Sequence, residues 1–178
     1  LSPDLVLGRI ALVANGGNAK LMSYLRRRLP EEQQYLADLW RQTRRSAAYV
    51  SRTTQFPLKY PQEEAKILTY GLNRLAWQNP QKAIKSYANW SQKSVFSKSQ
   101  ETDILRSIAL SLTLDKDPLA LEWLSRADID GAREDVKRWH LAHLLAKQDW
   151  QSALSLISSA PALRQQSGSF TCLKGRSP

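Results

Sequence analysis

One arrangement occurs twice between residues 104 and 157, and this repeat limits the fold more than any other feature of the chain. Each copy has an amphipathic run of helical length, a polar break, and a second, shorter amphipathic run with an aromatic residue near one end. In the first copy, apolar residues recur at steps of three and four, as in Ile104, Ile108 and Leu112, which places them on one face of a helix. Two helices joined by a tight turn and followed by two more predict a helical solenoid.

The breaks themselves carry helix signals. In the first copy the break is Asp115-Lys116-Asp117-Pro118. Proline lacks an amide hydrogen and disfavours helical dihedrals in the residue before it, so one helix is expected to end here, with Asp117 capping the next. That second helix is predicted from Pro118 to about Arg126. In the next copy Trp139 opens the apolar pattern, Gln148-Asp149 forms the break, and a helix is predicted over 150–157.

The same pattern extends back to the start of the chain. Further helices are predicted over 4–14, 19–29, 31–43, 46–52, 62–78 and 80–90, with connectors at 53–61 and 91–100. Successive breaks lie roughly 30 to 40 residues apart, close to the spacing of helical repeat arrays. Glycine is scarce and no alternating run of strand length occurs, so a sheet is not expected. The prediction is an all-α fold: a right-handed superhelical array of about five helix pairs, an α-solenoid, over residues 1–160, followed by an irregular tail over 161–178.

Composition agrees with a globular protein. Hydrophobic residues make up 42% of the chain and charged residues 24%, values typical of folded domains. No apolar run approaches the roughly 20 residues needed to span a bilayer, so no transmembrane segment is predicted. The chain opens with Leu-Ser-Pro-Asp and not with methionine, which indicates a mature product or an excised piece. Its single cysteine, Cys172, lies in the polar tail and says little about the redox compartment.

The formal net charge is +10, and much of it is concentrated in the first third of the chain. The arginines there are Arg26, Arg27, Arg28, Arg41, Arg44, Arg45 and Arg52. A basic surface raises the encounter rate with polyanions, so nucleic acid, an anionic membrane face and an anionic cell-wall polymer all fit. The simpler interpretation is that these arginines cover solvated helix faces and cap helix ends. No nucleic-acid motif accompanies them, so no specific nucleic-acid partner is predicted.

Two histidines stand at a spacing that could support a metal. His140 and His143 lie three residues apart on one predicted helix, but no third ligand lies at motif distance and HEXXH is absent. Cys172 is far away in the sequence. Neither a metal site nor a cofactor is predicted.

The tryptophans and the paired acids have structural interpretations as well. The six tryptophans are Trp40, Trp77, Trp90, Trp123, Trp139 and Trp150. They could stack on sugars or bases, but most fall at apolar helical positions or beside breaks and are expected to pack between helices, with one or two exposed in a groove. The pairs Glu31-Glu32 and Glu63-Glu64 stand at predicted helix starts, where they compensate the helix dipole. Phosphate-binding glycine loops, nucleophile elbows and Cys/His pairings are missing from the sequence, so no catalytic residue is predicted.

Three segments carry a resemblance to a known family: LAWQNPQKAIKSYANW, LRSIALSLTLDKDPLALEWLSRAD and VKRWHLAHLLAKQDWQSALSLI. In the phase of helix, break and helix, and in their tryptophan positions, they resemble the superhelical, doughnut-forming α-domain of the soluble lytic murein transglycosylases of Gram-negative bacteria. The resemblance runs in order over about residues 1–160. It implies a periplasmic protein that acts on peptidoglycan, cleaving between N-acetylmuramic acid and N-acetylglucosamine with a 1,6-anhydromuramyl product.

In that family the activity belongs to a separate lysozyme-like domain that follows the helical region. The family's catalytic glutamate lies in a Glu-Ser pair, with Gly-Leu-Met-Gln and Ala-Tyr-Asn-Ala-Gly segments downstream, and none of these occurs in this sequence. The resemblance therefore implies a non-catalytic scaffold, inactive alone, that presents glycan strands to a C-terminal catalytic domain. The alternative is a tetratricopeptide-like adaptor that binds a peptide on its concave face. Nucleic-acid binding ranks last.

Overall fold

A computed structural model describes residues 2–127 and 134–159, and within these residues it contains helices and no strand. The α-helices are α1 Pro3–Ala14, α2 Ala19–Arg26, α3 Gln34–Arg45, α4 Pro61–Gln78, α5 Pro80–Ser91, α6 Lys98–Leu114, α7 Ala120–Ala127, α8 Glu134–Ala146 and α9 Trp150–Ser159. Short 3₁₀ helices lie at Glu31–Gln33, Ala47–Ser51 and Thr53–Gln55. The prediction of an all-α fold is confirmed.

The helices follow one another as five pairs, the number predicted. Four pairs consist of α-helices: α1 with α2, α4 with α5, α6 with α7, and α8 with α9. In the remaining pair, α3 is followed by the 3₁₀ helix Ala47–Ser51 where the sequence predicted a helix over 46–52. Five residues are too few for a stable α-helix, and 3₁₀ geometry is common in such short connecting turns.

The chain divides into two compact units, Leu1–Ile108 and Ala109–Pro178. In the first unit α1 packs against α2 and α3, α3 against α4, and α4 against α5 and the 3₁₀ helix Ala47–Ser51. In the second unit α8 packs against both α7 and α9. Packing between neighbours along the chain is characteristic of solenoids. The irregular tail predicted over 161–178 lies outside the described residues.

Helix α6 begins earlier than the apolar pattern indicates. Its first residue, Lys98, falls within the predicted connector 91–100. The cause is a capping box: Ser97 Oγ accepts from the Gln100 amide at 3.3 Å, and Gln100 Oε1 accepts from the Ser97 amide at 3.0 Å. The Ser-x-x-Gln spacing that produces this reciprocal pair is present in the sequence at Ser97 and Gln100.

The two copies of the sequence repeat share one turn geometry. Lys116 and Gln148 both adopt left-handed φ values, 55° and 59°. The next residue in each copy donates its amide five residues back, Asp117 to Leu112 at 2.9 Å and Asp149 to Leu144 at 3.0 Å. This is the hydrogen bond of a Schellman-type helix end.

The boundaries of the helices around these turns differ from the predicted ones. Helix α7 begins at Ala120 and not at Pro118, because the Asp117 carboxylate accepts from the Leu119 amide at 2.8 Å and stabilises an intervening turn. Helix α8 begins at Glu134, upstream of the apolar pattern that opens at Trp139.

Helix α4 sits at the centre of the first unit. Its Gly71 is buried, and a Cβ built there would meet side-chain atoms of Thr43 in α3 and Val50 in the following 3₁₀ helix. The backbone of α4 can therefore approach these elements closely only because residue 71 has no side chain. The backbone carbonyl of Val50 also accepts a hydrogen bond from Nε1 of Trp90, a fully buried residue of α5, at 2.8 Å.

Candidate functional site

One face of α4 carries four polar and aromatic side chains in a single stripe. Tyr70, Asn73, Arg74 and Trp77 are spaced three or four residues from one another or directly adjacent, so they project from the same side of the helix. With Asn15, the residue that follows α1, they line an open cavity of about 420 Å³. This cavity is called the α4 pocket below.

Two members of the pocket are fixed by the ends of other helices. The Tyr70 hydroxyl donates to the Ala14 carbonyl at 2.8 Å, and Arg74 Nη1 donates to the carbonyls of Thr43 and Arg44 at 3.0 and 2.9 Å. Carbonyls in the last turn of a helix lack intrahelical partners, so these bonds satisfy the ends of α1 and α3. The Arg74 guanidinium also lies 5.3 Å from the centre of the Tyr70 ring. Both side chains are therefore held in place before any ligand arrives.

The other two members of the α4 stripe have no comparable structural task. The Trp77 side chain is 52% exposed. The Asn73 Oδ1 atom is buried and accepts no hydrogen bond from the described part of the chain. A buried amide oxygen without a donor is uncommon in folded proteins and costs stability. An exposed aromatic face and an unused acceptor in one concavity are the features of a ligand pocket.

A second concavity in the first unit is basic. Arg45, Arg52 and Lys82 line a groove of about 270 Å³ together with Tyr49 and smaller polar side chains. The Arg52 guanidinium lies 5.5 Å from the centre of the Tyr49 ring. Among the residues that the structure describes, no carboxylate forms an ion pair with Arg45 or Arg52. This basic groove therefore presents positive charge to solvent and suits an anionic group.

Other arginines of the basic segment have structural partners. Arg26 and Arg41 both contact the Asp38 carboxylate at 3.0 Å. Arg44 Nη2 donates to the Gly17 carbonyl at 2.8 Å. The sequence-based interpretation of arginines as surface and capping residues holds for these three. Arg45 and Arg52, which line the basic groove, are the exception.

Glu64 has a role that the sequence did not reveal. The residue is fully buried and accepts from the Tyr35 hydroxyl at 2.7 Å and from the Leu58 amide at 3.0 Å. Burial, and next the hydrogen bond to Glu64 and its charge, raise the pKa of Tyr35 well above its ordinary value. Its neighbour Glu63 pairs with Lys66 in the first turn of α4. The predicted dipole compensation therefore suits Glu63, whereas Glu64 attaches the connector before α4 to the interior.

Among the described residues, neither histidine belongs to a metal-ligating group. His140 and His143 both lie on α8, and His140 Nε2 is 3.5 Å from the Ser125 hydroxyl. Burial, together with the charge of Lys147, lowers the pKa of His143. Across residues 2–127 and 134–159, no three His, Cys, Asp or Glu side chains lie close enough together to hold a metal ion. Cys172 lies outside the described residues.

The tryptophans divide into two equal groups. Trp40, Trp90 and Trp123 are buried and pack between helices, as the sequence predicted for most of them. The exposed fractions of Trp77, Trp139 and Trp150 are 52%, 42% and 62%, and Trp77 is the one that lines the α4 pocket. Trp77 does have a sequence signal, because it falls outside the apolar stripe of α4 formed by Leu68, Leu72, Leu75 and Ala76. Asn73 and Arg74 have none, since their roles depend on contacts with distant helix ends.

No helix among the described residues is both long and apolar enough to cross a membrane. No protein-family model and no curated protein matches the chain.

Among solved structures, the chain is similar to an inactive mutant of the lytic transglycosylase Slt from Pseudomonas aeruginosa, with a TM-score of 0.76 and 31% sequence identity. The similarity covers 90% of this chain and 26% of that protein, so the chain spans about a quarter of its length. The resemblance to the helical domain of lytic transglycosylases is thereby confirmed, and so is the predicted fold class.

Proposed function

We propose that this chain is a non-catalytic helical scaffold of a lytic transglycosylase that acts on peptidoglycan in the periplasm. The observation that carries the proposal is the similarity to Slt, which extends over 90% of the chain at 31% identity. Identity at this level, maintained along a whole array of helices, goes beyond the convergence expected of short amphipathic repeats.

The residues present support a binding role and not a catalytic one. Cleavage of a glycosidic bond needs at least one carboxyl group positioned in a cleft as a general acid and base. Glu64, the fully buried glutamate of the first unit, is engaged by Tyr35 and Leu58 inside the fold. The α4 pocket and the basic groove contain no carboxylate in their linings, and Asp149, which lines a cavity of the second unit, accepts from the Ser152 amide at 3.1 Å as a helix cap. The chemistry is therefore assigned to a separate lysozyme-like domain, and formation of the 1,6-anhydromuramyl product is expected to require that domain.

Peptidoglycan is a suitable partner for the surface of the first unit. Its stem peptides carry carboxylates, and the basic groove offers Arg45, Arg52 and Lys82 without carboxylate partners among the described residues. Attraction between exposed charges weakens as salt rises, so binding is expected to depend on ionic strength. The proposal places the chain among cell-wall proteins and gives it no specific nucleic-acid partner.

The test is cosedimentation of the purified chain with isolated peptidoglycan sacculi across a salt series, with a parallel assay for release of anhydromuropeptides. Binding without release is the expected result. The absence of binding at every salt concentration would overturn the proposal and favour the peptide adaptor. Release of anhydromuropeptides by the chain alone would contradict the non-catalytic assignment.

A further inference from the structure

We infer that the α4 pocket is a saccharide-binding site that takes an amino-sugar residue of a glycan strand, with Trp77 as the stacking surface and Asn73 as the hydrogen-bond acceptor. This inference rests on the proposed function and deepens it, because it assigns one place on the chain where the glycan is held.

The first argument is the exposure and setting of Trp77. An indole ring is large and rigid, and it has an apolar face that matches the C–H face of a pyranose ring. Trp77 is 52% exposed, while Trp40 and Trp90 of the same unit are almost completely buried. Among the described residues of the first unit, Trp77 is the tryptophan that solvent reaches. The ring opens onto a cavity of about 420 Å³, large enough for a sugar residue.

The second argument is the unused acceptor beside that ring. Asn73 Oδ1 is buried without a partner among the described residues. A saccharide presents many hydroxyl and amide donors, and one of them would satisfy this oxygen once the Asn73 amide rotates toward the cavity. The energetic cost of the orphaned oxygen in the free chain is then explained, because a buried polar group without a partner is tolerated where a ligand later supplies one.

The third argument is the rigidity of the rest of the pocket. Arg74 and Tyr70 are tied to the carbonyl ends of α3 and α1, and these bonds fix the helix face that also carries Asn73 and Trp77. A helix face that is already fixed loses little conformational entropy on binding. The other exposed tryptophans, Trp139 and Trp150, are not part of the lining of the α4 pocket.

The experiment uses the full chain and a tetramer of β-1,4-linked N-acetylglucosamine as the probe. Titration followed by the indole N–H resonances in ¹H–¹⁵N NMR spectra reports on each tryptophan separately. The Trp77 resonance is expected to shift with saturation, while the resonances of Trp139 and Trp150 stay in place. Shifts confined to Trp139 or Trp150, or no shift at all, would overturn the inference.

Two substitutions test the assigned roles, with a matched control. Trp77→Ala is expected to weaken binding of the tetramer roughly tenfold or more, because the stacking surface is lost. Trp150→Ala removes an equally exposed indole from α9 and is expected to leave the affinity unchanged. Equal affinities for the Trp77→Ala variant and the unmodified chain would exclude the pocket.

Asn73→Leu separates binding from folding. Leucine has a similar size and no polar atom to leave unsatisfied, so this variant is expected to unfold at the same temperature as the unmodified chain or at a higher one. Its affinity for the tetramer is expected to fall. A loss of thermal stability together with unchanged affinity would mean that Asn73 is a structural residue, and the assignment would fail.

Sacculus binding distinguishes this inference from the broader proposal. If the unmodified chain binds sacculi and Trp77→Ala binds them equally well in high salt, the scaffold function stands and the α4 pocket is the wrong site. If the unmodified chain does not bind sacculi at all, the proposed function fails first.

Discussion

Because of the contact between Tyr35 and Glu64, the fold is expected to lose stability at alkaline pH. Because burial and the Glu64 carboxylate raise the folded-state pKa of Tyr35, the phenol is more easily ionised in the unfolded chain, where its pKa is about 10. The contribution to stability is complete below that pH and is lost as the pH rises above it. The urea midpoint is therefore expected to decline from pH 9 to pH 11, and Tyr35→Phe is expected to decline less.

The partner residue gives a second measurement of the same contact. Glu64 accepts two hydrogen bonds with two carboxylate oxygens, from the Tyr35 hydroxyl and the Leu58 amide. Glu64→Gln has one acceptor oxygen and leaves one of these partly buried donors unpaired, at a cost of about 1–3 kcal/mol in the free energy of unfolding. The midpoint of urea denaturation at pH 7 checks this value. An unchanged midpoint would show that the contact is dispensable.

Gly71 and Gly8 provide a paired test of close helix packing. A Cβ at position 71 would lie 2.6 Å from Thr43 Cγ2 and also clash with Val50, whereas a Cβ at position 8 meets nothing within 4 Å. Gly71→Ala is expected to destabilise by about 1–3 kcal/mol through overpacking. Gly8→Ala, in the exposed middle of α1, is expected to stabilise by roughly 0.5–1 kcal/mol through helix propensity. Thermal unfolding monitored at 222 nm compares the two, and changes of the same sign would contradict the packing argument.

Single residues also mark the limit of sequence analysis for this chain. The paired glutamates Glu63 and Glu64 look alike in the sequence, and both stand where a helix dipole favours acids. Only the approach of Tyr35, which is distant in the sequence, distinguishes them: Glu64 is buried and accepts from Tyr35, whereas Glu63 pairs with Lys66. Asn73 is a similar case. Nothing in the sequence indicates whether the side-chain amide of a helical residue will have a hydrogen-bond donor beside it in the fold.

At the scale of the elements, the shared turn of the two repeat copies predicts a stabilising substitution. Lys116 is exposed and holds a left-handed φ of 55°, which costs a non-glycine residue about 1 kcal/mol. Lys116→Gly is expected to raise the free energy of unfolding by roughly 0.5–1 kcal/mol. Asp115→Gly, one residue earlier and without a left-handed φ, is the control and should give no gain. Urea denaturation of both variants decides the point.

The elements themselves were predicted more successfully than their ends. Apolar spacing identified each α-helix of the described chain, because burial of one face is a local, periodic property. Boundaries depend on individual hydrogen bonds, such as the Ser97–Gln100 box that starts α6 and the Asp117 carboxylate that delays α7. The 3₁₀ geometry of Ala47–Ser51 follows from the short length of this segment between packed helices. The spacing of apolar residues does not distinguish such a segment from a short α-helix.

At the scale of the whole molecule, the net charge of +10 is expected to act through the basic groove. Replacing both Arg45 and Arg52 by Gln should lower binding to sacculi at low salt by roughly threefold or more and flatten the dependence on salt. Replacing both Arg26 and Arg41 by Gln is the matched control, because it removes the same two charges and both arginines already pair with Asp38. Cosedimentation at about 25 and about 200 mM salt measures the difference, because the screening of exposed charges changes strongly over this range. An equal loss in the control variant would indicate an effect of net charge alone.

The architecture of the whole chain followed from its repeats, whereas the candidate site did not. Helix, break and helix recurring along the chain predicted paired helices, and the residues that carry the family resemblance indicated the correct relative. The α4 pocket needed three dimensions, because Asn15, Tyr70 and Trp77 come together only when the end of α1 packs beside α4.

The division of the six tryptophans into buried and exposed groups gives the chain an internal optical reporter. Quenchers dissolved in water reach Trp77, Trp139 and Trp150 and leave the emission of the buried indoles unchanged. Trp77 shares its cavity with the Arg74 guanidinium, which attracts iodide and repels caesium. A ligand that fills the cavity shields Trp77 from iodide, so occupation of the cavity can be followed without any attached label.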